Sequence, residues 1–165
     1  MAGRREPADE PDVTGDPSAS SDEAVPPAPG QDALAEFSAR CNAIEEAYEF
    51  MLAYAAQGLP NEDGSVSGSQ IRDFLTKCDA ALTGLGEAVT NCVRRLGVRP
   101  TAPYDAFISV VERDVRSAQA AVQLVLAQPS IGSMLVDNLN ASTHLRAVLT
   151  DLFLLDEVLK AKPVS

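Results

Sequence analysis

This chain is short of positive charge, histidine, paired cysteine and long apolar runs, and each shortage excludes a class of function. Thirteen Lys and Arg stand against 24 Asp and Glu, a formal net charge of -11. Non-specific nucleic-acid binding needs clustered cations that displace counterions, and docking on anionic lipid needs the same, so neither is expected. One histidine serves all 165 residues, too few for the Glu-x-x-His ligand sets of helical metal centres. The cysteines, Cys41, Cys78 and Cys92, are odd in number and form no CxxC pair. That argues against a disulfide framework or a zinc site, and each thiol reads as a small buried hydrophobe. No apolar run approaches the roughly 18 residues of a membrane span, and no apolar stretch follows the N-terminus as in a secretory signal. A reducing cytoplasm is the expected compartment.

Known catalytic signatures are missing as well. There is no GxSxG, no cysteine with a histidine partner in sequence, and the GSVSGS stretch lacks the lysine of a P-loop. No enzyme mechanism follows from the chain, and no cofactor or metal is expected.

What is present divides in two. Residues 1–31 hold six of the eleven prolines, seven acidic residues, two arginines and no aromatic side chain. Such a segment buries too little surface to offset the entropy of ordering it, so it is predicted disordered. It reads as a solubilising tail or as an acidic arm that binds a basic partner or shields a site. Ser18, Ser20 and Ser21 sit among its acidic residues as candidate modification positions.

From Asp32 onward the apolar residues repeat at helical spacing. The first seam is Leu34, Phe37, Cys41, Ile44, Tyr48, Met51 and Ala55, and predicts a helix over 32–57. Ile71, Leu75, Cys78, Leu82, Leu85, Val89, Cys92 and Leu96 predict a second over 68–96, capped by Ser67 or Ser69. Gly84 and Gly86 within it mark a kink or a close helix contact. Tyr104, Ile108, Val111, Val115, Ala118, Val122 and Val125 predict a third over 102–128, with Thr101 as its N-cap. Leu145, Val148, Leu149, Leu152, Leu155 and Leu159 anchor a fourth over 131–160, which the polar stretch NLNAST interrupts. Four such helices with short loops predict an all-α, antiparallel up-down four-helix bundle over 32–165.

Three features within the bundle invite a functional reading. Glu45, Glu46 and Glu49 lie about 100° to 200° round the helix from Ile44, so they turn toward water rather than toward a metal. His144, followed by Leu145, Arg146 and Ala147, resembles histidine phosphotransfer helices over about four residues, with Arg146 in the cationic role and Ala147 as the small residue, and makes such a module the alternative function. A cofactor- or metal-binding bundle, with His144 as a haem ligand for example, is the second alternative.

The third feature carries the leading reading. Ala39, Ala43, Ala47, Phe50, Ala53 and Tyr54 form a second apolar strip on the first helix, and Leu152 to Leu155 make the last helix apolar over half its circumference. Either these helices are deeply buried or they present faces to a partner. The expectation is a non-enzymatic accessory, scaffold or regulatory protein. It would bind a protein partner or a second copy of itself through Ala43, Ala47, Phe50, Tyr54, Phe153 and Leu154.

Overall fold

The computed structural model describes residues 29–161 and is all-helical. Its elements are α1 (Pro29–Ala55), α2 (Val66–Leu82), α3 (Leu85–Arg95), α4 (Ala102–Leu126), α5 (Ser133–Ala141) and α6 (Thr143–Lys160). The predicted arm lies outside the described residues up to position 28. Residues 29–31, expected to belong to it, are instead the first turn of α1. A proline opening a helix costs little there, because the first amides have no intrahelical acceptor.

Two of the four expected helices are broken, at the glycine pair that marks a kink and within the NLNAST stretch that marks an interruption. The second divides at Thr83–Gly84. Thr83 is extended, and Gly84 takes φ 73°, ψ 8°, a left-handed conformation that a side chain disfavours. Gly86 has a separate role: a Cβ there would stand 2.7 Å from Glu112 Cγ, so its absence lets α3 close on α4. The N-cap of α2 is Ser65, not Ser67 or Ser69, and its side chain accepts from the Gly68 amide. The last helix divides at Ser142, at ψ 144°, whose hydroxyl donates to the Leu139 carbonyl at 2.6 Å. Thr101 sits at the α4 N-cap position but makes no side-chain cap hydrogen bond.

Helix α1 packs against α2, α3, α5 and α6, and α4 against α2, α3, α5 and α6. One apolar core joins them. The α4 seam is buried from Ile108 to Val125, and every α6 seam residue is buried. In α1 the buried line is Ala33, Phe37, Cys41, Ile44, Ala47, Met51 and Tyr54. Leu34, Tyr48 and Ala55, placed on the seam from sequence, are only half-buried. With neighbours on several sides, α1 buries an arc wider than one seam.

Polar groups hold the breaks and loops. Arg40 of α1 donates to the Thr83 carbonyl at 2.7 Å and to Ala81 at 3.3 Å, satisfying carbonyls at the end of α2. From α4, Gln119 donates to Asp79 Oδ1 and Thr83 Oγ1, and Gln123 to Asp79 Oδ1. At the other junction the Tyr54 hydroxyl donates to the Ile131 carbonyl at 2.7 Å, and Ser133 Oγ donates to the Tyr54 carbonyl at 2.6 Å. Arg72 Nε meets Glu62 Oε1 at 2.7 Å, while its other nitrogens donate to Leu126 and Gln128 at the end of α4. The α1–α2 loop, the end of α4 and the start of α5 are thereby one unit.

Candidate functional site

The six residues expected to bind a partner do not form one surface. Ala47 and Tyr54 are 0% exposed, so they are core residues and cannot anchor an external partner. Burial, reinforced by Glu62, raises the Tyr54 phenol, which stays protonated and donates inward. Ala43 and Phe50 are half-buried against the core. The Phe50 ring stacks on Phe74 of α2 with centroids 4.0 Å apart and planes 10° from parallel. Tyr54 continues the stack at 6.4 Å, and Lys77 Nζ lies 5.2 Å from the centre of the Phe74 ring. Ala43, Ala47, Phe50 and Tyr54 of the α1 strip are therefore packed within the chain, while Ala39 and Ala53 stay exposed. Phe74 was the missed partner: it lies off the second-helix seam, three residues after Ile71, and only that spacing marked it.

Phe153 and Leu154 behave differently, at 53% and 54% exposed. The reason is local. Leu152, Leu155 and Leu159 take the inward positions of α6, and the unbroken apolar run leaves its other members outside. Val158, one turn beyond Leu154, is exposed as well. Leu154, Leu155 and Val158 line one side of a groove of about 430 Å³, and Pro100, Pro103, Tyr104 and Phe107 line the other. Spacing alone puts Tyr104 on the core seam and leaves Phe107 off it. Both are half-buried at the start of α4 and form the aromatic wall.

The groove is flanked by charge. Arg94, Arg95 and Arg99 are exposed on the last turn of α3 and the loop leading to Pro100. Arg94 and Arg99 line a neighbouring cavity of about 270 Å³, with Asp105 as its acidic member. Along the α4–α6 seam Asp151 feels the charge of Asp114, and its Oδ2 is buried without a hydrogen-bond partner. Burial first, then the Asp114 charge, raises the Asp151 carboxyl, with Arg113 opposing.

A raised folded-state acid binds its proton more tightly than the unfolded chain does. Its stabilising effect is therefore present at low pH and lost as pH rises through the folded value. Asp151→Asn is expected to stabilise the protein at pH 7 by about 1 kcal/mol, the scale of relieving one poorly satisfied buried group. The gain over the parent should shrink as pH falls from 7 toward 4, read as the difference in urea midpoint. A gain independent of pH would assign the effect to something other than the carboxyl proton.

The remaining candidates offer less chemistry. Glu46 and Glu49 are exposed and Glu45 half-exposed, on the wet side of α1. Among the described residues, no three His, Cys, Asp or Glu side chains are grouped to hold a metal ion. His144 is exposed on the first turn of α6, with Arg146 exposed two residues on. Burial pushes the thiols of Cys41 and Cys78 up to about 12 and that of Cys92 to about 11, so they are poor nucleophiles. A depression of about 780 Å³ between Leu59–Pro60 and the start of α5 has its Ser133 hydroxyl already committed to Tyr54. Asn140 is buried with both amide atoms unpaired, but it lines none of these cavities. No helix among the described residues is long and apolar enough to cross a membrane. No protein-family model matches the chain, and neither does any curated protein or solved structure.

Proposed function

We propose that the protein is a non-enzymatic accessory, scaffold or regulatory protein of the cytoplasm, built as an antiparallel up-down four-helix bundle. In that bundle α2 with α3 and α5 with α6 each serve as one broken helix. The pairing of α1 with α2 and α3, and of α4 with α6, supports this arrangement. The chain acts through the outer face of α6. The observation that carries the reading is the group of Phe153, Leu154 and Val158, exposed together beside an aromatic-walled groove. Large apolar side chains grouped at a surface mark contact faces, because covering them removes apolar area from water.

Leu154→Glu tests it, since the residue is exposed and its substitution spares the core. The expected result is an unchanged thermal midpoint and at least tenfold weaker association, whether with a second copy by sedimentation or with a partner captured from the native cell. Association and capture indistinguishable from the parent would overturn the reading. The phosphotransfer alternative has the exposure of His144 in its favour. It predicts acid-labile phosphate on the parent and none on His144→Gln.

A further inference from the structure

The groove between α4 and α6 continues beyond its apolar end. On α4 the edge beside α6 runs from Phe107 through Val110 to Asp114, at spacings of three and four residues that keep one helix face. On α6 the matching edge runs the other way, from Val158 through Leu154 to Asp151. Phe107 shares the groove with Leu154, and Asp151 feels the charge of Asp114. The two edges therefore bound one antiparallel groove, apolar at the Pro103 end and acidic one to two turns further in. Past the carboxylates the edges become small, with Ser117 on α4 and Ala147 on α6.

The acidic part is poorly answered by the fold. Among the described residues, Asp151 Oδ2 is buried with no hydrogen-bond partner. Asp114 has its sequence neighbour Arg113 at 3.8 Å, but that side chain is 65% exposed, the geometry of an ordinary surface pair. A cation set over both carboxylates would relieve their repulsion, while its apolar neighbours cover Leu154 and Val158. The net charge of -11 draws a cationic partner at long range and repels an acidic one. A second copy laid on the groove would add its own Asp114 and Asp151 to the interface, so like charges would meet.

Geometry selects a helix as the occupant. Two helix edges that repeat at three and four residues present the ridges between which a third helix packs. Leu154 and Asp151 are three residues apart and Phe107 and Asp114 seven, or about 4.5 and 10.5 Å along the two axes. A docked helix thus needs its cation three to seven residues past its last apolar anchor. Arg99, exposed beside Pro100 at the other end, repels a second cation there and so sets the direction of the helix.

We propose that the α4–α6 groove takes an amphipathic helix of another protein, with aliphatic anchors between Phe107 and Leu154 and a lysine or arginine over Asp114 and Asp151. The inference rests on the reading of the α6 face as the contact surface and names the chemistry of its partner.

The test uses the full chain and a fluorescein-labelled, alanine-based helical peptide with leucines at i and i+4 and lysines at i+8 and i+11. Anisotropy should saturate, and the same peptide with glutamates for the lysines should bind at least tenfold more weakly. Asp114→Asn with Asp151→Asn should weaken the lysine peptide at least fivefold and a glutamine version less than twofold, which separates pairing from net charge. The glutamine peptide also reports that the variant is folded. With p-benzoylphenylalanine for the first leucine, crosslinks should map to residues 103–110 or 154–158. No saturation, equal binding of the lysine and glutamate peptides, equal losses for the lysine and glutamine peptides, or crosslinks confined to other surfaces would each overturn the proposal. So would self-association through Leu154 that the lysine peptide does not displace, which assigns the groove to a second copy. Absence of the charge coupling while Leu154→Glu still weakens association rejects the basic helix and leaves the contact face standing. Charge coupling with association indifferent to Leu154→Glu rejects the contact-face reading instead, and the groove's preference for a basic helix stands.

Discussion

Gly132→Ala is expected to cost about 3 kcal/mol or more, the upper end of the range for forcing atoms into filled space. A Cβ at this position would stand 2.5 Å from the Pro60 carbonyl oxygen and 3.0 Å from its carbon. Both are backbone atoms and cannot turn aside as a side chain would. The Leu59–Pro60 segment is also fixed in place, because the Leu59 carbonyl accepts from the Ser133 amide at 2.9 Å and its amide donates to Ser133 Oγ at 3.0 Å. Displacing it would break both bonds and disturb Tyr54, whose hydroxyl ends on Ile131. Gly58→Ala is the control. It has a left-handed φ of 65° but nothing within 4 Å of a new Cβ, so only the backbone cost of about 1 kcal/mol applies. Urea midpoints of the two variants give the comparison. Similar losses at both sites would mean that the close approach at Gly132 is not tight in solution.

Arg72→Met is expected to cost about 2–3 kcal/mol, the scale of charge-assisted hydrogen bonds lost from a partly buried network. Three bonds disappear together: to Glu62 Oε1 at 2.7 Å, to Leu126 at 3.1 Å and to Gln128 at 2.8 Å. Methionine keeps most of the aliphatic stem, so the loss reports the guanidinium. Two of the acceptors are carbonyls at the end of α4, where a cation also opposes the helix dipole. Glu62→Gln alone should cost less, since its other oxygen accepts only the Ile131 amide at 3.2 Å. The double variant should fall short of the sum by at least about 0.5 kcal/mol if the pair acts as a unit. A cost for Arg72→Met below about 0.5 kcal/mol would place the pair with ordinary exposed ion pairs.

Periodicity located the helices well where burial is one-sided. In α4 and α6 the residues named from spacing are the buried ones, from Ile108 to Val125 and from Leu145 to Leu159. The break at Gly84 escaped the same test for a physical reason. Leu82 and Leu85 flank it and both remain fully buried, so the seam keeps its phase across an interrupted helix. Spacing reports which residues face the core, and a two-residue bend that preserves facing leaves no trace in it. Only the glycine itself signalled the break. In α1 the spacing was misleading because alanine carries little weight in a hydrophobic pattern. Ala33 and Ala47 are buried deeper than the neighbouring Leu34 and Tyr48. Phe50 looked unpartnered because its partner, Phe74, is on another helix 24 residues away, and sequence alone does not bring them together. The α6 face was legible, since four consecutive large apolar residues cannot all point inward from one helix. The groove opposite it depends on how α4 approaches α6 and was not.

The bend between α2 and α3 bears on how the molecule moves. A two-residue interruption with a glycine ordinarily serves as a hinge, where one rigid piece swings against another. Here the pivot is clamped from both sides, by Arg40 of α1 on the Thr83 and Ala81 carbonyls and by Gln119 of α4 on the Thr83 hydroxyl. Swinging α3 away from α2 would break contacts to two other helices at once. The bend is thus tied to α1 and α4 on its α2 side, while the packing of α3 on the same two helices sets its angle and the position of the arginines at its far end.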